Sequence, residues 1–177
     1  MPEFIPGLKL GEYFYHEAVK PIIEREFPRL QYSAALIGSG SEILGFDTAM
    51  SSDHHWGPRV MLFLSEADFA NQHDRLHEVF AHNLPYTFRG YTTNFAPPDS
   101  NDSGVQLLQT IDSGPVNHRV EIMTMREFFL GYMDYDPSVE PDVADWLTFP
   151  EQKLRTVTAG AVYHDDLGLA SIRAKLT

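Results

Sequence analysis

The residues best suited to chemistry gather in one stretch, 38–64, GSGSEILGFDTAMSSDHHWGPRVMLFL. Gly40 and Ser41 form a turn of the kind that offers backbone N–H groups and a hydroxyl to an anion. Eleven residues then intervene before Asp53, and His55 follows two further on. Glu121 stands in a later apolar run, NHRVEIMT. Carboxylates converging from neighbouring strands suit hard divalent cations such as Mg²⁺ or Mn²⁺, which take oxygen ligands. The imidazole of His55 favours Zn²⁺ and other transition metals instead. Arg59 adds a cation that can clamp a phosphate.

Each of these residues also has a plain structural role open to it. Gly-Ser turns are common connectors, and Glu121 can pair with Arg119 or Arg59 at the sheet surface. Asp47 is either an extra oxygen ligand or a local turn acceptor. His54 either anchors the loop or faces solvent, and Trp56 either stacks on a base or covers the core. His164, Asp165 and Asp166 form a second His/acid cluster that suits a helix end as well as a cleft. Phe128, Phe129, Tyr132 and Tyr135 read as core or as an interface.

Those side chains need elements to hold them. GLKLGEYFYHEAVKPIIER, 7–25, has apolar residues at helical spacing with Pro21 as a break. SAALIG predicts a buried strand entering the Gly/Ser turn, and RVMLFL at 59–64 predicts a second. Ser65 caps a helix to about His82, ended by Asn83-Leu84-Pro85. TFRGYTTNF predicts strand and 97–104 a surface loop. VQLLQTI and NHRVEIMT then predict two strands joined as a hairpin at 112–115. TMREFFLGYM is a helix, and Thr148-Phe149-Pro150-Glu151 opens another with a Thr-x-x-Glu cap. The order implies an α/β (α+β) domain with a mixed sheet flanked by helices.

Bulk properties bound the rest. The 177 residues suit one domain with a sizeable core. A net charge of −12 argues against a broad polynucleotide surface. There is no cysteine, which excludes disulfides, Cys-ligated zinc and thiol nucleophiles, and fits the cytoplasm. We expect no signal peptide at MPEFIPGLKLGEYF and no transmembrane helix, since no apolar run approaches the required length.

The Gly-Ser turn after a strand, the spacer, the acid with a second ligand position two residues on, and a later acidic strand resemble the nucleotidyltransferase fold shared with DNA polymerase beta. The fuller set, with FRGY, NHRVEI and DWLTFPEQKLRTVTAGAVYHDDLG, resembles the bacterial family named as domain of unknown function 4037 across nearly the whole chain. The resemblance implies a core at 1–148 and a helical segment at 149–177 leading towards a helical C-terminal domain. It matches Gly40 and Ser41 to a phosphate-facing turn, and Asp53 and Glu121 to metal carboxylates. His55 falls where the pattern has its second Asp, and Gly57-Pro58 interrupts the strand that would carry both. Implied are a divalent metal, a nucleoside triphosphate, and nucleotidyl transfer to a small-molecule or protein acceptor. A binding module without catalysis is the alternative, and a transition-metal hydrolase using Asp53, His55 and His164 a third. The C-terminal aromatics and a helix over 167–176 are expected to pack on that further domain, and so to promote self-association here.

Overall fold

The computed structural model describes residues 2–50 and 56–177. Asp53, His54 and His55 lie outside the described residues. The fold is mixed α/β, built on a four-stranded sheet of order β5-β2-β1-β6. Its strands are β1 (Tyr32–Leu36), β2 (Arg59–Leu64), β5 (Arg119–Thr124) and β6 (Ala161–Asp165). β1 runs antiparallel to both β2 and β6, while β2 and β5 are parallel. Every residue of β1 and β2 is buried, as expected of central strands covered on both faces.

Helices cover both faces. On one side lie α1 (Gly7–Phe14), a π-helical turn (Tyr15–Val19), α2 (Lys20–Glu26) and α3 (Glu66–Asn83). Leu10, Phe14, Ile22, Leu76 and Phe80 pack there against Ala34, Val60, Leu62 and Val120. Pro21 removes a backbone donor and crowds the preceding turn, and the π turn just before it absorbs both effects without ending the helical segment. The other side carries α4 (Met125–Met133), α5 (Val143–Thr148), α6 (Glu151–Thr158) and α7 (Leu169–Ala174). There Phe129, Met133, Tyr135, Val157, Leu169 and Leu176 pack on Ala35, Met61 and Phe63. The alternation of Val60 with Met61 and of Leu62 with Phe63 between the two cores is the period-two pleat of a strand.

Helix starts follow their sequence signals. Ser65 Oγ accepts from the Asp68 N–H at 3.1 Å, and Thr124 with Glu127 closes a reciprocal capping box at the head of α4. Among the described residues no helix is long and apolar enough to cross a membrane.

Four expectations need correction. VQLLQTI forms no strand of the main sheet. It makes only isolated bridges, Phe95 with Leu108 and Asp99 with Val105, and Leu107 is exposed. The expected hairpin therefore does not form, because β5 pairs in parallel with β2, across an intervening chain that includes α3 and the small hairpin of β3 (Thr87–Phe88) and β4 (Tyr91–Thr92). The segment 149–177 is not helical throughout, since β6 hydrogen-bonds to β1 and completes the sheet. Thr148 does not cap α6. Its hydroxyl donates to the Asp145 carbonyl at the end of α5, a helix absent from the sequence reading and capped by Asp142. Finally, Leu169 and Leu176, expected to face a further domain, are buried inside the chain, where Phe129 and Tyr135 take the core alternative of their two readings. The exposed apolar side chains are Val143, Trp146 and Leu147 on α5, among others.

Candidate functional site

Arg59 and Arg119 open β2 and β5 side by side in register, and Met61 stands opposite Glu121 one pleat further on. Residues 59, 61, 119, 121 and 123 therefore share one face of the sheet. At the end where β1 leaves and β2 and β5 enter, they floor a cleft of about 490 Å³. Ser39 and Gly40 from the turn after β1 form one rim, and Phe128 and Tyr132 from α4 form an aromatic wall. The two rings are stacked, 5.5 Å apart at 11°. Tyr132 is fixed by a 2.8 Å bond between its hydroxyl and Thr156 Oγ1 on α6.

The turn is shaped by a buried ion pair that sequence reasoning missed. Glu42, in the short 3₁₀ turn Ser41–Leu44, accepts from Arg59 Nε at 2.8 Å, with Arg59 Nη2 at 2.5 Å. Arg59 Nη2 also donates to the Ser39 carbonyl at 2.7 Å. Both charged side chains are almost wholly buried. Arg59 thus organises the turn instead of standing free as a phosphate clamp. Gly40 has φ of 136°, and a Cβ there would lie 2.3 Å from Glu42 Oε2 and 2.5 Å from Arg59 Nη2. Its lack of a side chain makes room for the pair. Ser41 is exposed beside it.

Glu121 does reach the cleft, but in the company of Arg119. Arg119 Nε donates to Glu121 Oε1 at 3.1 Å and Nη2 contacts the same oxygen. Arg119 Nη1 donates to Gln106 Oε1 at 2.9 Å, and the guanidinium lies 5.7 Å from the Phe95 ring centre. Arg59 is thus set against Glu42, and Arg119 against Glu121, among the described residues. Among the described residues no group of three or more His, Asp or Glu side chains could hold a metal. More tellingly, the charged neighbour of Glu121 among the described residues is the Arg119 guanidinium, which repels a divalent cation. The described residues do not by themselves fit a metal centre.

The remaining candidates fall elsewhere. Asp47 accepts from the Gly7 N–H at 2.6 Å and from the Trp56 indole at 3.1 Å, so it ties the start of α1 to the loop. Trp56 is buried and stacked on Phe4, which removes it as a base platform. His164 stacks on Tyr32 at 4.5 Å, beside the core on the opposite face of the sheet from Glu121. Its Nε2 lies 2.8 Å from Asp166 Oδ2 but off the hydrogen-bonding line.

Asp165 is structural. Its carboxylate accepts from Ser33 Oγ at 2.6 Å and from the N–H groups of Gly168, Leu169 and Ala170 at the head of α7. Burial opposes its ionisation, but the Ser33 hydroxyl and these three amides outweigh burial and hold the carboxyl below its ordinary range. Its contribution is present above the ordinary Asp value and is lost as pH falls through the depressed one. Asp165→Ala is expected to cost about 1–2 kcal/mol in a urea titration at pH 7, a helix-cap magnitude. A loss indistinguishable from zero would show the cap to be unimportant.

Of these residues the sequence brings Gly40, Arg59 and Glu121 to one cleft. It gave no sign of Glu42 or Gln106, and it assigned Phe128 and Tyr132 to core or interface. The pairing of Arg119 with Glu121 had a signal, since residues two apart on a strand share a face. No family model, curated protein or solved structure matches this chain.

Proposed function

We propose that the cleft binds a nucleoside phosphate, with the phosphates between the turn 39–41 and Arg119 and the base against the wall of Phe128 and Tyr132. The observation that carries this reading is the meeting of a Gly/Ser turn, an arginine-carboxylate pair and a stacked aromatic pair in one cleft of about 490 Å³, a size suited to a small organic ligand. The resemblance to nucleotidyltransferase-like proteins favours a nucleotide among ligands of that size. It supports two forms of the reading. In one, the domain transfers a nucleotidyl group to a small-molecule or protein acceptor, and the residues to hold its divalent cation are Glu121 with Asp53 and His55. In the other, the domain binds the nucleotide without catalysis. The Arg119–Glu121 pair favours the second, because a carboxylate already bonded to a guanidinium is a poor ligand for Mg²⁺ or Mn²⁺.

Thermal unfolding with each of the four ribonucleoside triphosphates, in EDTA and with Mg²⁺, Mn²⁺ or Zn²⁺, separates the forms. Binding to the native state alone stabilises by about 2.7 kcal/mol at a hundredfold excess over Kd. At least one triphosphate is expected to raise Tm in EDTA, and Phe128→Ala to weaken its binding by about 1–3 kcal/mol, the worth of one stacking contact. A shift that requires a cation would favour the transferase. Silence from all four under every condition would end the nucleotide reading.

A further inference from the structure

We infer that Arg119 occupies the cation position of Glu121, so that the cleft selects against divalent metal and in favour of an anion. This deepens the nucleotide reading and takes its site from it, yet its test needs no nucleotide.

The arrangement is built rather than incidental. Arg119 and Glu121 lie two apart on β5 and so share a face, and two nitrogens of the guanidinium converge on one carboxylate oxygen. The other side of the arginine is held as well. Nη1 bonds Gln106 Oε1 at 2.9 Å, and Gln106 Nε2 in turn donates to the Ala96 carbonyl at 3.1 Å. Phe95 packs against the guanidinium. The side chains of Arg119 and Glu121 are only 15% and 27% exposed, so the pair is shielded more than a surface ion pair.

A metal ion seeking Glu121 must therefore displace a positive group already anchored at hydrogen-bonding distance. A phosphate meets the opposite situation. It can replace the carboxylate on a guanidinium whose planar donors suit it, and whose orientation is fixed beforehand. Arg119 would then supply the positive charge that a metal supplies in a two-metal site, and Glu121 would hold it in place between ligands. On this inference Arg119 determines specificity.

Mn²⁺ alone is the probe, followed by electron paramagnetic resonance and calorimetry in nucleotide-free buffer, with circular dichroism to check each variant's fold. Arg119→Gln is expected to bind Mn²⁺ at least about tenfold more tightly than the original chain, since it unmasks a hard oxygen ligand. Arg119→Lys keeps the charge and should gain little. The double variant Arg119→Gln/Glu121→Gln should return to the starting affinity. Glu121→Gln alone should leave Mn²⁺ affinity unchanged, because Glu121 is not available to metal in the original chain. This arm stays decisive if Arg119→Gln fails to fold. The inference is overturned if Arg119→Gln binds no more tightly, if its gain survives in the double variant, or if Glu121→Gln alone loses Mn²⁺. A failure of nucleotides to bind would strike the preceding proposal and leave this result standing.

Discussion

Replacing Glu42 with Ala is expected to lower the free energy of unfolding by about 3–5 kcal/mol, the cost of leaving a buried charge without its partner. Arg59 sits at the start of β2, almost fully buried, with Nε 2.8 Å from Glu42 and Nη2 shared between Glu42 and the Ser39 carbonyl. Without Glu42 the guanidinium keeps the Ser39 carbonyl as its acceptor, and its burial leaves little room for hydration in place of the lost carboxylate. It must either stay unpaired or pull the 39–41 turn apart to reach solvent, and both routes cost. The loss of the pair, not the loss of side-chain volume, is the cause. Glu42→Ala combined with Arg59→Met should therefore recover much of the deficit, because an apolar chain of similar length tolerates that site. Urea titrations at pH 7 with a common m-value would measure both. A single-variant loss below about 1 kcal/mol would show that Arg59 finds water, and so that the turn is open where the structure has it closed.

Acid should weaken this protein earlier than its carboxylates alone would dictate, through His118. The ring is buried where α3 meets β5, and its two nitrogens have assigned roles. The Val120 N–H donates to Nδ1 at 3.1 Å, and Nε2 bonds the His77 carbonyl at 3.0 Å. That pattern fits only the neutral ring with its proton on Nε2. A second proton would have to sit on Nδ1 facing another N–H. Burial pushes the imidazole down to about 4; the His77 carbonyl opposes that shift and the nearby His77 ring adds to it. The folded value lies below the ordinary 6.5, so the unfolded chain binds more protons between the two. Stability from this group is then complete above about pH 6.5 and drains away as pH falls towards about 4. The full gap corresponds to about 3 kcal/mol, of which about 2 kcal/mol is gone by pH 5. The check is the difference between pH 7.5 and pH 5 in urea titrations of the original chain and of His118→Phe. A fall of equal size in both would mean that His118 takes up its proton alike in the folded and unfolded chains, so that burial does not depress it.

What the sequence could disclose divides along a physical line. Local signals were legible. The run RVMLFL became β2 with no change of bounds, and Ser65 and Thr124 cap the helices that their spacing to Asp68 and Glu127 announces. Mixed α/β architecture followed from the order of such segments. Non-local pairing was not legible. VQLLQTI and NHRVEIMT have the apolar content of a hairpin, but only tertiary structure decides that β5 lies beside β2 instead. β6 escaped because AVYHD is an edge strand of half-buried residues with little apolar contrast. In the candidate site, Gly40, Arg59 and Glu121 were named from residue type and spacing. Glu42 was not, since its meeting with Arg59 depends on how a 3₁₀ turn folds back over seventeen positions. Asp53 and His55 lie outside the described residues, and their part in the site stays a proposal.

The position of β6 has a consequence for how the chain is made. β1 finds its first neighbour, β2, soon after synthesis. Its other edge waits for partners such as Asp165, which pairs with Ser33 across 132 positions. At about 5–20 residues per second a ribosome needs roughly 7–26 s to cover that distance. Throughout that interval the nascent chain presents an all-apolar strand, but for Ser33, with one row of backbone donors and acceptors unanswered. Such an edge invites pairing with another nascent chain. The chain is thus most exposed to aggregation on the ribosome, before β6 emerges, and slow translation between 37 and 160 would lengthen that window.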